Sequence, residues 1–565
     1  MISNRCVQLS TKTSGFTKCI GMVCTSDVKR SKYTVASEDK SIRSKYNENI
    51  PTNSSVYDFI VNNFVKNPEK IALIDGVGGK SYTYETLHGL SKKFGSVLTK
   101  CGLGFDDKVA IYAPNCIDYS PAVLGTLGIG GCVSTMNPLY TRREVVKQIE
   151  DSGSKILVTI EPLLKTALEA AQETGVKRII LLGDSESKQH GIINWADVHN
   201  DLGDEFKNNS YKIDTKEHCA FLPYSSGTTG VPKGVMLTHH NIVSNLIQFG
   251  KFLDHIPREI ILAILPFFHI YGLVTILLSA IEHLKTTVTV PRFEPEMFLK
   301  TIQNNEVDYA SLVPPLLLFL IKSPEVLKYD ISSLKVVTTG AAPFGSDLWN
   351  SFDSRFGKAI KIIQGYGLTE TSPVATLTPG DDVKLGSVGK PVPNSEIKII
   401  DIVSGESLGP YERGEVVIKG PHIMKGYLNN EKATSECLSK DGWFYSGDIG
   451  YYDDQHNFFI VDRLKELIKY KGFQVPPAEL EDILMSHPNV NDAAVIGIPD
   501  EEAGELPRAF IVPKGEISAE EIMSYVETAV APHKKLRGGV QFIDVIPKAV
   551  SGKILRRELR EKFVS

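Results

Sequence analysis

The sequence predicts an α/β protein: a large N-terminal domain of several α/β subdomains with covered, largely parallel sheets, followed by a small C-terminal α+β domain. Three observations carry that expectation. A chain of 565 residues exceeds the roughly 250–300 residues at which one hydrophobic core stops growing, so it must divide. Short β-branched runs alternate with longer segments of helical period, the rhythm of βαβ units whose sheets are buried on both faces. After about Asp462 the pattern changes to a compact, charged stretch of about a hundred residues, the size of a separate small domain.

Taken in order, residues 1–50 are rich in Ser, Thr, Lys and Arg without a sustained apolar period, and read as a tail outside the fold. No acidic residue precedes Asp27, while Arg5, Lys12 and Lys18 are spread among serines and threonines. That composition suits a mitochondrial transit peptide and equally an extension with no address. The run Cys19 to Cys24 is too short for a secretory apolar region, and the C-terminal Phe563-Val564-Ser565 does not match the Ser-Lys-Leu peroxisomal signal. The mitochondrion and the cytoplasm are therefore the expected compartments.

Residues 51–462 form the expected large domain, with strands at 108–113, 155–160, 178–183 and 335–340 and a helix from Tyr84 to Lys100. The span Ile260 to Ile281 holds no Asp, Glu, Lys or Arg and reaches the ~20 residues that cross a bilayer. Pro266, His269 and Gly272 interrupt it, Glu259 and Glu282 flank it, and no basic cluster marks one side. It therefore reads as buried strand, loop and helix, and no transmembrane segment is expected. Ser311 to Ile321 reads as core, with Pro314 and Pro315 opening a helix. Residues 463–466 form a hinge and 467–565 the small domain. That domain should hold a helix near Pro477 to His487, strands at 493–498 and 508–513, and a helix near Ser518 to Val530.

With 42% apolar and 23% charged residues, the chain has the proportions of a folded globular protein. A net charge of -5 supplies no basic field for a nucleic-acid backbone, which leaves a small molecule as the default partner. The eight cysteines are scattered, without CxxC or metal-type spacing. They suit a reducing compartment and the role of small buried hydrophobes. Composition says nothing of oligomeric state.

The stretch Phe221 to Gly234 carries the most chemistry. Six consecutive small or hydroxylic residues, Ser225 to Gly230, offer backbone N–H groups and hydroxyls that can surround a polyphosphate, and Lys233 adds positive charge at the far end. Five positions after Gly227 stands Pro232, and after Gly230 Val235, so the Walker A spacing fails. A nucleoside triphosphate remains the natural guest, although Gly/Ser/Thr clusters are often only turns.

This region, YSSGTTGVPKGVMLTH (224–239), resembles the phosphate-loop signature of the AMP-forming adenylate-forming enzymes, the family of acyl-CoA synthetases, 4-coumarate:CoA ligases and beetle luciferases. Further stretches follow in the family's order: LPFFHIYG (265–272), TTGAAP (338–343), QGYGLTETSP (364–373), GWFYSGDIGYYD (442–453), VDRLKELIKYKGFQV (461–475) and SGKILRREL (551–559). They extend over most of the chain.

The resemblance implies an ATP- and Mg²⁺-dependent enzyme that activates a carboxylic acid as an acyl-adenylate and transfers the acyl group to coenzyme A, with the small domain as a mobile lid. It implies Lys553 as the adenylation lysine, Lys469 as a residue of the thioester step and His269 in the acyl pocket and catalysis. ATP or AMP would meet Ser225, Ser226, Gly227, Thr228, Thr229, Gly230, Lys233, Gln364, Gly365, Tyr366, Gly367, Thr369, Asp448, Arg463 and Gln474. Glu370 would hold Mg²⁺ between phosphate oxygens. The acyl pocket would take His269, Tyr271, Thr275, Gly340, Ala341, Gly365 and Leu377, dimensions that suit an aryl (4-coumarate-like) or medium-chain fatty acid. Coenzyme A would meet Arg292, Lys471 and Gly472, and the lid would turn about Lys465. Each residue alone is more often a core histidine, a cap or a solvated charge. A luciferase-like adenylating monooxygenase and a catalytically inactive binding protein on the same scaffold are the competing readings. The second predicts lost motif residues, whereas Lys233, Glu370, Asp448, Arg463, Lys469 and Lys553 are all present.

Overall fold

The computed structural model describes residues 40–206, 212–225, 232–254, 256–340, 346–357, 359–379, 383–471, 473–549 and 552–564. Two nine-stranded sheets form the body of the large domain. In the first, Cys132–Met136, Lys108–Tyr112, Ile156–Ile160, Arg178–Leu182 and Ile192–Asn194 run parallel side by side. In the second, Lys361–Gly367, Val336–Thr339, Tyr309–Leu312, Ile260–Ala263, Thr286–Thr289 and Ile71–Asp75 do the same. Helices cover these strands, which explains their apolar runs: a strand buried on both faces has no reason to alternate. A five-stranded sheet containing Glu396–Ile400, Gly414–Lys419, Phe444–Tyr452 and Phe458–Arg463 completes the large domain.

Local signals account for several boundaries. The helix Tyr84–Lys100 starts where Thr83 accepts a hydrogen bond from the Thr86 amide (3.1 Å) and carries Glu85 and Lys100 at the ends that complement its dipole. Pro314 opens the helix Pro314–Lys322, where its missing N–H would have had no partner. The apolar span at 260–281 resolves into the strand Ile260–Ala263, a loop, the π-helix Tyr271–Leu278 and the short helix Ser279–Glu282. Among the described residues no helix is long and apolar enough to cross a membrane.

Beyond the strand Phe458–Arg463 the hydrophobic core starts anew. Ile468, Val475, Leu480, Leu484, Val495, Ile511, Ile522 and Val526 form their own cluster around a second five-stranded sheet, whose longest pair is Val490–Asp500 with Gly504–Pro513. Helices Pro477–Met485 and Ala519–Ala529 lie within the segments the sequence assigned to them.

The expected tail needs correction at its inner end. Ile42–Arg43 form a strand antiparallel to Glu396–Ile400, and the Glu48 amide donates to Asn394 Oδ1 (3.0 Å). Residues 40–50 thus belong to the fold, because sheet-edge pairing satisfies backbone groups without needing the apolar period that was sought.

Candidate active site

The parallel strands of the second sheet end at one edge in small residues, at the carboxyl ends where open α/β sheets bind ligands. Thr339 is the register partner of Gln364, so Gly340 and Gly365 lie side by side just beyond. Packing demands glycine there. A Cβ on Gly340 would stand 3.0 Å from the Gly365 carbonyl oxygen, and one on Gly365 would stand 2.8 Å from Leu377 Cδ1. On Gly367 a Cβ would fall 1.8 Å from the Pro373 carbonyl oxygen. Gln364 is buried, and its Oε1 has no hydrogen-bond partner among the described residues. A buried acceptor without a donor fits a ligand N–H or a water.

Next to this edge, the antiparallel strands Phe444–Tyr452 and Phe458–Arg463 make Asp448 and Arg463 register partners. Asp448 is 3% exposed. Its carboxylate accepts a 2.6 Å hydrogen bond from the Tyr366 hydroxyl and meets Arg463 Nε at 3.2 Å. The Asp448 charge raises Arg463 above the ordinary guanidinium range, while burial and the Asp448 charge push the Tyr366 phenol up. Lys553 reaches this group from the other domain. Burial first, then the Arg463 charge, lowers its ammonium to about 8, with Asp448 and Glu466 acting in the opposite sense. Its neighbour Gly552 adopts φ +79° against the large domain, where an added Cβ would lie 3.1 Å from Pro315 Cδ.

A second group forms where the strand Lys233–Thr238 is flanked by two short strands. Tyr224–Ser225 pairs with it so that Ser225 opposes Lys233. On its other edge Val235 opposes Tyr427. The Lys233 ammonium stands 4.4 Å from the centre of the Tyr427 ring, a cation–π contact. The Tyr427 hydroxyl donates to Glu370 Oε1 at 2.8 Å. Glu370 is 5% exposed, and its other carboxylate oxygen has no hydrogen-bond partner among the described residues. One buried carboxylate with an open oxygen beside a lysine suits a cation that takes most of its ligands from phosphates and water, as Mg²⁺ does. Among the described residues no group of three or more His, Cys, Asp and Glu could hold a metal alone.

The π-helix Tyr271–Leu278 begins beside the glycine edge, and such helices recur at functional sites. Tyr271 Oη lies 4.0 Å from where a Gly340 Cβ would stand and faces Thr338 and Ser311. Burial lowers His269 to about 4, so the imidazole is neutral at neutral pH. Its Nδ1 accepts from the Tyr271 amide (3.3 Å), which assigns the proton to Nε2 and leaves that N–H to donate. His269, Tyr271 and Tyr366 keep some open surface although surrounding protein shifts their ionisation. Side chains lining a recess behave this way. Thr275 is buried with its hydroxyl bound to the Tyr271 carbonyl (2.7 Å), so it offers a ligand no unsatisfied polar group. Thr369 is half-buried in the short turn Thr369–Thr371 that carries Glu370.

The remaining expected residues are not brought to this place. Lys469 is exposed, with its backbone N–H on Glu505 Oε2 (2.7 Å), and Lys471 pairs with Glu502 (2.6 Å) in the turn between Val490–Asp500 and Gly504–Pro513. Lys465 is exposed. Arg292 donates through Nε to Glu294 Oε1 (2.8 Å) on the surface. The arrangement that seats Lys553 leaves the Lys469–Lys471 hairpin facing solvent. Ser226, Gly227, Thr228, Thr229, Gly230, Ala341 and Gly472, and the side chain of Gln474, lie outside the described residues. Sequence reasoning missed Tyr427. It stands in Lys425-Gly426-Tyr427, a stretch with no chemical signature of its own.

Joined sheets with a glycine-lined edge, a carboxylate clamp shared by Tyr366 and Arg463, and a lysine arriving from a second domain define a nucleotide-dependent adenylate-forming enzyme. Residues 61–428 match the family of AMP-binding enzymes, and residues 479–553 match the AMP-binding enzyme C-terminal domain. The chain belongs to that family. It is 39% identical to 4-coumarate–CoA ligase 1 of Arabidopsis thaliana, over 91% of this chain and 94% of that protein. It is 40% identical to a 4-coumarate–CoA ligase of Pinus taeda, over 88% and 93%. Among solved structures, ATP-bound MatB from Rhodopseudomonas palustris superposes with a TM-score of 0.80 at 25% identity, covering 91% of this chain and 99% of that one. The o-succinylbenzoate CoA synthetase MenE from Bacillus subtilis, in complex with its acyl-adenylate intermediate, gives 0.76 at 28%, with the same coverage.

Proposed function

We propose that the chain is an AMP-forming carboxylic acid:CoA ligase acting on an aryl acid of the 4-coumarate kind or a medium-chain fatty acid. A carboxylate oxygen of the acid attacks the α-phosphorus of ATP, forming the acyl-adenylate as pyrophosphate leaves. The thiol of coenzyme A then attacks the acyl carbon, the carbon–oxygen bond to AMP breaks, and the thiol proton passes to solvent. The observation that carries this reading is the convergence of Tyr366, Asp448, Arg463 and Lys553 from two separately cored domains.

Each residue has a role that its surroundings permit. Asp448, its carboxylate held by Tyr366 and Arg463, accepts from the ribose hydroxyls. Lys553 places a cation where charge builds up between two anionic reactants, the kind of preorganised electrostatics that usually supplies the largest catalytic contribution. Lys233 and the loop it closes meet the phosphates, and Glu370 holds Mg²⁺, which neutralises phosphate charge when bound. Neutral His269 donates through Nε2 to orient the acid. Tyr271, Gly340, Gly365 and Leu377 shape the acyl recess. Arg292, Lys469, Lys471 and Gly472 serve the coenzyme A step in a second arrangement of the small domain, reached by rotation about Lys465 between domains at 51–462 and 467–565. The relatives matched are CoA ligases, which favours neither luciferase-like oxygenation nor a binding-only role. The scattered cysteines and the composition of the first residues support a cytoplasmic or mitochondrial enzyme.

The test is pyrophosphate release from ATP and Mg²⁺ over a panel of aryl and aliphatic acids, with and without coenzyme A. Acid-dependent pyrophosphate, with thioester formed only when coenzyme A is added, is expected. Pyrophosphate without thioester for every active acid would refute the ligase.

A further inference from the structure

Asp462 stands one residue before the end of the last strand of the large domain, yet its side chain works on the small one. It is 8% exposed. Oδ1 accepts the Arg463 amide at 2.7 Å and Oδ2 accepts the Ala478 amide at 2.8 Å. Ala478 lies in the first turn of the helix Pro477–Met485, whose N-cap is Pro476 and makes no side-chain capping bond. The first amides of a helix lack partners within it, and a carboxylate there is favoured by both hydrogen bonding and the helix dipole. Asp462 therefore caps this helix from the other domain.

Within electrostatic reach of the same carboxylate lies Arg556, whose positive charge counters the upward push that burial exerts on Asp462. Arg556 is itself fixed inside the small domain. Its guanidinium meets Glu481 Oε2 at 2.6 Å and the Val495 carbonyl at 3.2 Å, while Glu481 Oε1 accepts the Val495 amide at 2.8 Å. Arg556 begins the helix Arg556–Phe563, three residues after Lys553 on the same short connection. Slighter contacts also join the domains: Gly552 lies against Pro315, and Arg413 meets Glu479 at 3.6 Å on the surface. An exposed pair of that kind contributes little.

We propose that Asp462 is a positioning residue for adenylation: by capping helix Pro477–Met485, whose Glu481 holds Arg556, it seats Lys553 within reach of Asp448 and Arg463. The inference rests on the adenylation role proposed for Lys553. Asp462 touches no substrate and acts through Arg556 and the connection that carries Lys553. A contact between residues on opposite sides of the hinge must break when the small domain turns, so Asp462 favours one arrangement over the other rather than serving both.

Asp462→Asn keeps the shape but has one acceptor for two amides and no charge for Arg556. Single-turnover rates are measured for pyrophosphate release from ATP and acid without coenzyme A, and for thioester formation from supplied acyl-adenylate and coenzyme A. The expected result is a fall in adenylation of roughly ten- to a hundredfold, the scale of a displaced catalytic group. The acid's KM should hold, and thioester formation should be undiminished. An unchanged adenylation rate, or an equal fall in both half-reactions, overturns the proposal. Asp462→Ser, which keeps an oxygen for the helix but not the charge, is measured alongside. Loss of cooperative melting in both variants would make Asp462 a folding residue and overturn the proposal as well. Lys553→Ala, run in parallel, separates the two ideas. If it spares adenylation, the role of Lys553 fails; if it cripples adenylation while Asp462→Asn does not, only the role of Asp462 fails.

Discussion

Tyr427→Phe isolates one atom at the junction of the phosphate loop and the proposed metal carboxylate. The ring stays, so the cation–π contact with Lys233 at 4.4 Å and the packing of a residue only 8% exposed are retained. What goes is the 2.8 Å hydrogen bond to Glu370 Oε1. A hydrogen bond to a charged group contributes about 1.5–3 kcal/mol, and Glu370 is too buried for water to replace it fully. Part of this loss falls on folding and part on holding the carboxylate in its binding orientation. Removing an outer partner of a metal ligand typically costs about 10–100-fold in metal affinity or activity. Pyrophosphate release titrated with Mg²⁺ at saturating ATP and acid should show a half-saturating Mg²⁺ raised within that range, and calorimetric binding of Mg²⁺·ATP should weaken in step. Melting should fall by only a few degrees. An unchanged Mg²⁺ dependence with intact binding would show that Glu370 holds its place without Tyr427.

Lys553→Ala should slow adenylation by roughly 10²–10³-fold, the cost of a removed electrostatic contact, while sparing thioester formation from supplied acyl-adenylate; equal loss in both refutes that role. Because Lys553 sits at about 8 instead of the usual 10.5, kcat/KM for ATP should fall as pH rises through about 8, and Lys553→Arg should abolish that limb. The same group has a stability consequence. Between about 8 and 10.5 the unfolded chain binds the proton that the folded one has released, so this contribution to stability rises with pH. Denaturant midpoints of wild type and Lys553→Met across that window check the sign. Lys469→Ala should slow thioester formation more than adenylation, and a normal single-turnover thioester rate would refute that assignment.

Much of the fold is legible in the sequence because buried parallel strands leave a strong mark: 108–113, 155–160, 178–183 and 335–340 each hold the strand expected of them. The apolar span at 260–281 was resolvable because Pro266, His269 and Gly272 break it. Its π-helix was not, since the insertion of a residue into a helical turn depends on packing and leaves no periodic trace. Ile42–Arg43 escaped for a related reason: two residues at a sheet edge are too few for a period of two to show. At the site, residues with unusual chemistry in small-residue surroundings could be named, among them Lys233, Tyr366, Asp448, Arg463 and Lys553. Tyr427 and Asp462 could not, because their partners Glu370 and Ala478 lie 57 and 16 residues away.

The residues that fail to assemble are as informative as those that do. Lys553 and the Lys469–Lys471 hairpin belong to one small domain, whose two hydrophobic clusters pack on opposite faces of the paired strands Val490–Asp500 and Gly504–Pro513, so they move together. Lys553 is half-buried within electrostatic reach of Asp448 and Arg463, while Lys469 and Lys471 face solvent. A rigid domain that buries one face against the site leaves another exposed, and both sets of lysines cannot serve a single arrangement. The contacts at the boundary of buried Asp462 with Ala478 and of Gly552 with Pro315 belong to the arrangement in which Lys553 is half-buried. A two-step reaction needs that arrangement to be left after adenylation, so it cannot be held too tightly. Among the described residues, the polar contacts that hold it include one carboxylate at a helix start and a surface pair at Arg413 and Glu479. Weakening that seat should therefore slow the first half-reaction before it harms the second.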